Sequence, residues 1–366
     1  MIPVAEPSLG QKELEYVTDC VRSGWVSSLG EYVKRFEREF AAYCGVRYGV
    51  ATHNGTVALH LALVALGIGL GDEVILPTLT FVATANAVTY TGATPIFVDS
   101  EPDTWNLDPD AVARAITPRT RAIIAVHLYG HPADMDALRV LADRHRVVLL
   151  EDAAEAHGAL YRGRRVGSLG DMSVFSFFGN KIITTGEGGM VLTDDSALAE
   201  RCFFLENQGR NKDNPYWHPE IGYNYRMTNM QAALGVAQLE RIDELIDIRL
   251  RHAAHYRRRL SGVRGLGLPP CAAWADNVYW MYSVLVEEDY GLERDAVMDR
   301  LRQRGIETRP VFYPIHTLPM YNQGQRFPIA EDIGRKGINL PSGATLTPQQ
   351  LDTVCDALTE LSRDGR

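Results

Sequence analysis

Ser173 to Val191 reads SVFSFFGNKIITTGEGGMV. Two strand-like runs, Ser173 to Phe177 and Gly189 to Leu192, enclose a loop of glycines and threonines. A single lysine, Lys181, stands just past the first run. A lysine beside Phe175, Phe177 and Phe178 is unusual, because an ammonium is costly to bury. Desolvation also lowers an amine's pKa and makes it a competent nucleophile towards carbonyls. The plain alternative is a surface lysine at a turn, since most lysines are exposed.

Outward from this stretch, short apolar runs predict further strands at Tyr48 to Thr52, Glu73 to Leu76, Pro95 to Asp99, Ala122 to Val126 and Val147 to Glu151. Helical patterns lie between them: Asn54, a good N-cap, through Leu66; Phe81 to Tyr90; Pro109 to Ile116; and Asp134 to His145. Alternation of this kind means crossover units and a mostly parallel sheet covered on both faces. Beyond Thr228 the pattern changes. Gln231 to Ile248 predicts one long helix that continues in charged form through Leu260. The stretch from Gly262 to Asp276, rich in Gly, Pro and Ala, reads as a joint. Tyr279 to Val286 alternates like a strand, and Arg294 to Arg304 and Thr347 to Leu361 are amphipathic helices. The expectation is an α/β protein with a large domain over residues 1–245 and a smaller α+β domain over residues 246–366.

The chain has 366 residues, 46% hydrophobic and 23% charged, ordinary globular usage with room for a sizeable core. Its formal net charge is -9 without a basic run, so no footprint for nucleic acid or an anionic membrane is visible. The five cysteines are an odd count with no CxxC pair, which argues against a disulfide framework and against a metal site. No signal-like start and no apolar run of membrane-spanning length is present, so a cytoplasmic protein is expected.

Upstream of Lys181, Val147-Val148-Leu149-Leu150-Glu151-Asp152-Ala153-Ala154 puts an aspartate at the carboxyl end of an apolar strand, where ligands of open α/β sheets sit. Asp152 there can keep a ring nitrogen protonated, or it can merely cap a helix. Ala154 is small enough to lie under a planar ring. Thr52-His53-Asn54-Gly55-Thr56 joins the first strand to its helix; Gly55 permits close approach and the helix N-terminus suits a phosphate. Many strand–helix joints look like this. Ser176 could add a hydroxyl. Phe81 could stack on a ring or sit in a core. Glu155 and His157 could reach a ring hydroxyl or lie on the surface. Together these groups suit pyridoxal 5'-phosphate, whose ring nitrogen needs an anion and whose aldehyde needs a lysine.

In this order the pieces resemble the sugar aminotransferases of the DegT/DnrJ/EryC1/StrS family, within the aspartate-aminotransferase fold. The likeness runs nearly end to end. It includes Trp25-Val26-Ser27-Ser28, Asn54-Gly55-Thr56, Glu151 to Glu155, Ser176 with Lys181, Gly186-Glu187-Gly188-Gly189, Gly222-Tyr223-Asn224-Tyr225-Arg226-Met227 and Tyr313-Pro314-Ile315-His316. The resemblance implies the fold type I architecture and roles for single positions. Lys181 would carry the cofactor covalently and act as the catalytic acid and base. Asp152 would pair with the ring nitrogen, Phe81 would stack on the ring, and Glu155 would approach its 3-hydroxyl, a place where many relatives have Gln. Gly55, Thr56 and Ser176 would hold the phosphate, and Asn224 would reach the phosphate of a partner subunit, making a homodimer with shared active sites. Trp25, Asn180, Tyr313 and His316 would face the substrate.

The reaction so implied moves an amino group from glutamate to a nucleotide-linked 4-keto-6-deoxy sugar, giving a 4-amino-4,6-dideoxyhexose. Alternatives are a dTDP-linked sugar aminated at C4 or C3, a cyclitol, and a non-catalytic regulatory or nucleotide-binding protein on the same scaffold. Dehydrating relatives replace the lysine by histidine, so Lys181 speaks against that branch. The residues that read the nucleotide are not identifiable from sequence.

Overall fold

The computed structural model of the protein describes residues 1–364. A seven-stranded sheet runs in the order Tyr48–Thr52, Gly189–Thr193, Met172–Ser176, Val148–Asp152, Thr120–Val126, Glu73–Pro77, Thr94–Val98. All neighbours pair in parallel except Gly189–Thr193, which is antiparallel to both of its own. Helices cover both faces, so Leu149, Leu150, Val174 and Val191 are fully buried. That is why these strands read as continuous apolar runs rather than alternating ones.

The local signals act as expected. Asn54 adopts extended backbone and accepts the Val57 N–H, starting helix Gly55–Ala65. The Asp134 side chain accepts the Ala137 N–H and caps Met135–His145. Two helices near the amino terminus, Gln11–Ser23 and Glu31–Cys44, pack on the helix Asn229–Leu239.

One expectation is corrected. The predicted single helix from Gln231 to Ile248 is two, Asn229–Leu239 and Ile242–Leu260. Arg241, between them, has φ -120° and ψ 9°, outside the helical region. No Gly or Pro marks the break; its neighbour Glu240 is held by Lys12 at 2.5 Å and Arg35 at 2.8 Å, so long-range ion pairs accompany it. A smaller difference is that the strand expected from Tyr279 begins at Tyr282, because Tyr279 takes a left-handed φ of 47°.

The carboxyl-terminal part forms an antiparallel sheet in the order Leu266–Gly267, Tyr282–Val286, Gly337–Leu340, Arg309–Pro310. It has its own core, built on Tyr256, Val284, Val297, Leu301, Val354 and Leu358. The Ile242–Leu260 helix serves two cores: Ile242, Leu245 and Ile246 join the one beside the large sheet, and Ala253, Tyr256 and Leu260 join the second. The amino terminus crosses to this second sheet, where Ile2 donates to Gly305 and accepts from Glu307.

Candidate active site

A cavity of about 550 Å³ opens at the carboxyl ends of the parallel strands. Its wall includes Gly55, Thr56, Phe81, Asp152, Ala154, Glu155, Ser176, Asn180 and Lys181. Residues expected at one site from four separate stretches of sequence thus converge.

Lys181 enters this wall from a braced loop. The Phe177 N–H donates to the Gly188 carbonyl (2.8 Å), and the Phe177 carbonyl accepts the Thr185 N–H (2.9 Å) and the Thr184 hydroxyl (3.0 Å). The threonines of the quoted stretch are therefore loop clasps. Below the loop, Phe175 and Phe177 pack edge-on against Phe40, with ring centroids 4.9 and 5.0 Å away. Burying each such ring contributes roughly 2–3 kcal/mol. The lysine Nζ lies 3.9 Å from Glu155 Oε1 and 3.7 Å from the centroid of the Trp280 ring. Burial pulls its pKa down, while Glu155 and Asp152 pull it up. Burial likewise pushes the Glu155 carboxyl up. Both shifts favour the uncharged forms of this pair, as a low-dielectric pocket requires.

Asp152 ends its strand fully enclosed. Its Oδ2 accepts the Thr84 hydroxyl at 2.8 Å, and its Oδ1 accepts the Ala154 N–H at 3.2 Å. Burial raises its pKa against those hydrogen bonds and Lys181. A buried carboxylate with open coordination on the cavity side fits a protonated ring nitrogen. The preceding residue fixes the strand end: Glu151 accepts from the N–H groups of Gly167 (2.8 Å), Leu169 (2.7 Å) and Gly170 (2.6 Å) and from His127 Nε2 (3.1 Å). Because the Ala133 N–H donates to His127 Nδ1, the ring's proton is on Nε2, facing Glu151.

The phosphate-sized corner lies between Gly55 and Ser176. A Cβ on Gly55 would stand 2.7 Å from Ser176 Cβ and 3.1 Å from its Oγ, so only glycine leaves this cradle open. The first amides of a helix have no acceptor within it; Asn54 satisfies Val57, leaving Gly55 and Thr56 at the cavity. Asn180 Oδ1 is buried in the wall without a partner, another polar atom waiting for a ligand. These features fit pyridoxal phosphate: an anion, a lysine, a phosphate cradle and flat walls at Phe81 and Ala154.

Other expected residues lie elsewhere. Among the described residues Trp25, Asn224, Tyr313, His316 and His157 do not line the cavity. His157 is buried among Phe40, Phe175 and Phe177. His316 is buried too, with Nδ1 2.7 Å from the Thr78 hydroxyl and Nε2 3.2 Å from Glu331, tying the second sheet's flank to the strand exit at Thr78. Trp25 and Tyr313 are more than half exposed. Asn224 is exposed, on a segment whose Tyr225 carbonyl accepts the His53 N–H at 2.7 Å. Conversely, Thr84, Tyr129, Trp280, Arg309 and Phe312 line the cavity without any local sequence signal. The aromatic three look like core residues in sequence; of them only Phe312 adjoins a stretch, Tyr313 to His316, that suggests a site.

The sequence profile of the DegT/DnrJ/EryC1/StrS aminotransferase family matches residues 7–359. The chain is 49% identical over 364 residues to GDP-perosamine synthase of Escherichia coli O157:H7, covering 99% of each. It is 50% identical over 363 residues to GDP-perosamine synthase of Caulobacter vibrioides (strain ATCC 19089 / CIP 103742 / CB 15), covering 98% of each. The PLP-form structure of the sugar aminotransferase Spr1654 from Streptococcus pneumoniae superposes with a TM-score of 0.94 at 28% identity, over 100% of this chain and 99% of that one.

Proposed function

This chain belongs to the DegT/DnrJ/EryC1/StrS aminotransferase family, and on that footing we propose that it moves an amino group from glutamate to a GDP-linked 4-keto-6-deoxy sugar, yielding a 4-amino-4,6-dideoxyhexose. The observation that carries the reading is the meeting of Lys181, Asp152 and the Gly55–Ser176 cradle in one cavity. Near-full-length identity of 49% and 50% to two proteins named GDP-perosamine synthase supports the choice of sugar and nucleotide.

The cofactor is pyridoxal 5'-phosphate, which when bound supplies an electron-withdrawing ring that eases loss of a proton from the carbon bearing the donor's nitrogen. The chain does the rest. Gly55, Thr56 and Ser176 take the phosphate; Phe81 and Ala154 bracket the ring. Asp152 holds a proton on the ring nitrogen. Lys181 carries the cofactor and, once freed, moves protons on its Nζ. Burial brings that amine nearer neutrality than an ordinary lysine, so it both accepts and returns a proton at working pH. Glu155 faces the ring hydroxyl. Trp280, Tyr129 and Phe312 exclude water from the inner wall, and Asn180 offers its unpartnered oxygen to the substrate.

Residues 1–245 act in this reading as the cofactor-binding domain and residues 246–366 as the smaller one, with Ile242–Leu260 as the shared helix. The active form is a homodimer in which Asn224 reaches the partner's phosphate. Exposure of Trp25 (56%), Tyr216 (93%), Trp217 (62%) and Ile221 (86%) supports this, since such apolar surface is what a symmetric interface covers. Five unpaired cysteines suit a reducing compartment such as the cytoplasm, and among the described residues no helix is long and apolar enough to cross a membrane.

The test is incubation with glutamate and a panel of GDP- and dTDP-linked 4-keto-6-deoxy sugars, with products identified by mass and NMR. The GDP sugar should be consumed one for one with 2-oxoglutarate formed, giving a C4 amine. Preference for a dTDP sugar, or amination at C3, overturns the substrate assignment. Amination of none of them overturns the sugar reading as a whole.

A further inference from the structure

We propose that Trp280 is a positioning residue for Lys181, and that its indole face is where the lysine's amine rests whenever it is not linked to the cofactor. The inference rests on Lys181 being the cofactor lysine. One side chain holds this lysine at both ends. The Nζ lies 3.7 Å from the Trp280 ring centroid, well inside the reach of a cation–π contact. The Trp280 Nε1–H donates at 2.8 Å to the Asn180 carbonyl, the peptide leading into Lys181.

Trp280 cannot easily withdraw. Its own carbonyl accepts from Arg249 Nη1 at 3.0 Å, and the same nitrogen donates to the Ser342 carbonyl at 2.8 Å. Arg249 is buried, and its guanidinium serves here as a clamp on two carbonyls rather than as an ion-pair partner. On the cavity side Trp280 stacks on Tyr129, with centroids 6.0 Å apart, and Tyr129 on Phe312 at 5.1 Å. Tyr129 itself holds a left-handed φ of 53°, a strained choice for a tyrosine, which is fixed in place by its N–H bond to Glu155 Oε2 at 2.8 Å.

The amine is thus placed between an aromatic face and the Glu155 carboxyl. The titratable groups facing it are Glu155 and Asp152, which attract its charge, and His157, which burial keeps neutral. The ring face favours the ammonium and so offsets part of the desolvation that disfavours it. The arrangement draws the freed amine aside while substrates exchange. A tryptophan that merely filled space would contribute only desolvation, and its removal would leave the midpoint of Lys181 where it is or raise it.

The test uses the full chain loaded with pyridoxamine phosphate, which cannot link to a lysine. Trace acetylation by acetic anhydride, read by mass spectrometry on the Lys181 peptide across pH, gives the amine's titration midpoint. Trp280→Leu should lower that midpoint by about half a unit to one and a half units. Trp280→Phe, which keeps a weaker aromatic face and the packing, should lower it by less. A midpoint that stays or rises in either variant overturns the proposal. If borohydride places the cofactor on another lysine, the functional reading fails instead, a result independent of this midpoint.

Discussion

Replacing Asp152 with asparagine changes one atom's charge at the bottom of the cavity and little else. The side-chain carbonyl keeps the Ala154 N–H, and the Thr84 hydroxyl can turn from donor to acceptor for the new amide. Without cofactor, the wild-type carboxyl has its pKa raised by burial, so its charge opposes folding above the ordinary carboxylate range. Asp152→Asn should therefore melt no lower than wild type in the cofactor-free form at neutral pH. With cofactor the balance reverses, because a protonated ring nitrogen loses its buried counter-charge. Losing one partner of a buried pair costs about 3–5 kcal/mol, which in a rate corresponds to about 10²–10⁴-fold. Stopped-flow absorbance after adding glutamate reads this directly, as decay of the cofactor's visible band. A half-reaction within a few-fold of wild type would show that Asp152 is not the ring-nitrogen partner. A slow half-reaction together with a large fall in melting temperature would show that it acts through the fold.

Two further outcomes follow from single positions. Gly55→Ala puts a methyl 2.7 Å from Ser176 Cβ in the phosphate cradle; overpacking of about 1–3 kcal/mol should weaken cofactor binding roughly tenfold or more by equilibrium titration, and undiminished affinity would contradict the cradle. Glu37, behind the phosphate loop, accepts only the Ala51 N–H, and burial pushes its carboxyl up to about 7. Its folded pKa lies above the unfolded one, so stability is lost as pH rises from about 4.5 through 7, by up to about 3 kcal/mol. Glu37→Gln keeps the acceptor and removes the titration, so urea denaturation should show a gain over wild type at pH 8 and little difference near pH 4.5; equal pH profiles would contradict this.

Most of the large sheet is legible in the sequence because its strands are buried on both faces, and Val148–Asp152 or Thr120–Val126 can be little else. The Glu240–Arg241 break is not legible, because it accompanies ion pairs to Lys12 and Arg35 more than two hundred residues away. The site divides along the same line. Gly55, Asp152 and Lys181 announce themselves by residue types that are costly or odd beside an apolar strand. Trp280, Tyr129 and Phe312 do not, since an aromatic in a cavity wall and one in a core have the same local pattern; Tyr129 comes from the exit of Thr120–Val126, and Trp280 and Phe312 come from the carboxyl-terminal part. His316 shows the converse: a histidine in a suggestive motif that the fold uses to join Thr78 to Glu331.

Of Lys12, Lys34, Lys181, Lys212 and Lys336, Lys181 is the one proposed to carry the cofactor. Borohydride reduction of the yellow protein, followed by peptide mapping, tests it directly. A single cofactor adduct is expected on the peptide containing Lys181 and none in Lys181→Ala. An adduct on Lys212 or Lys336, or an undiminished adduct in Lys181→Ala, would contradict it.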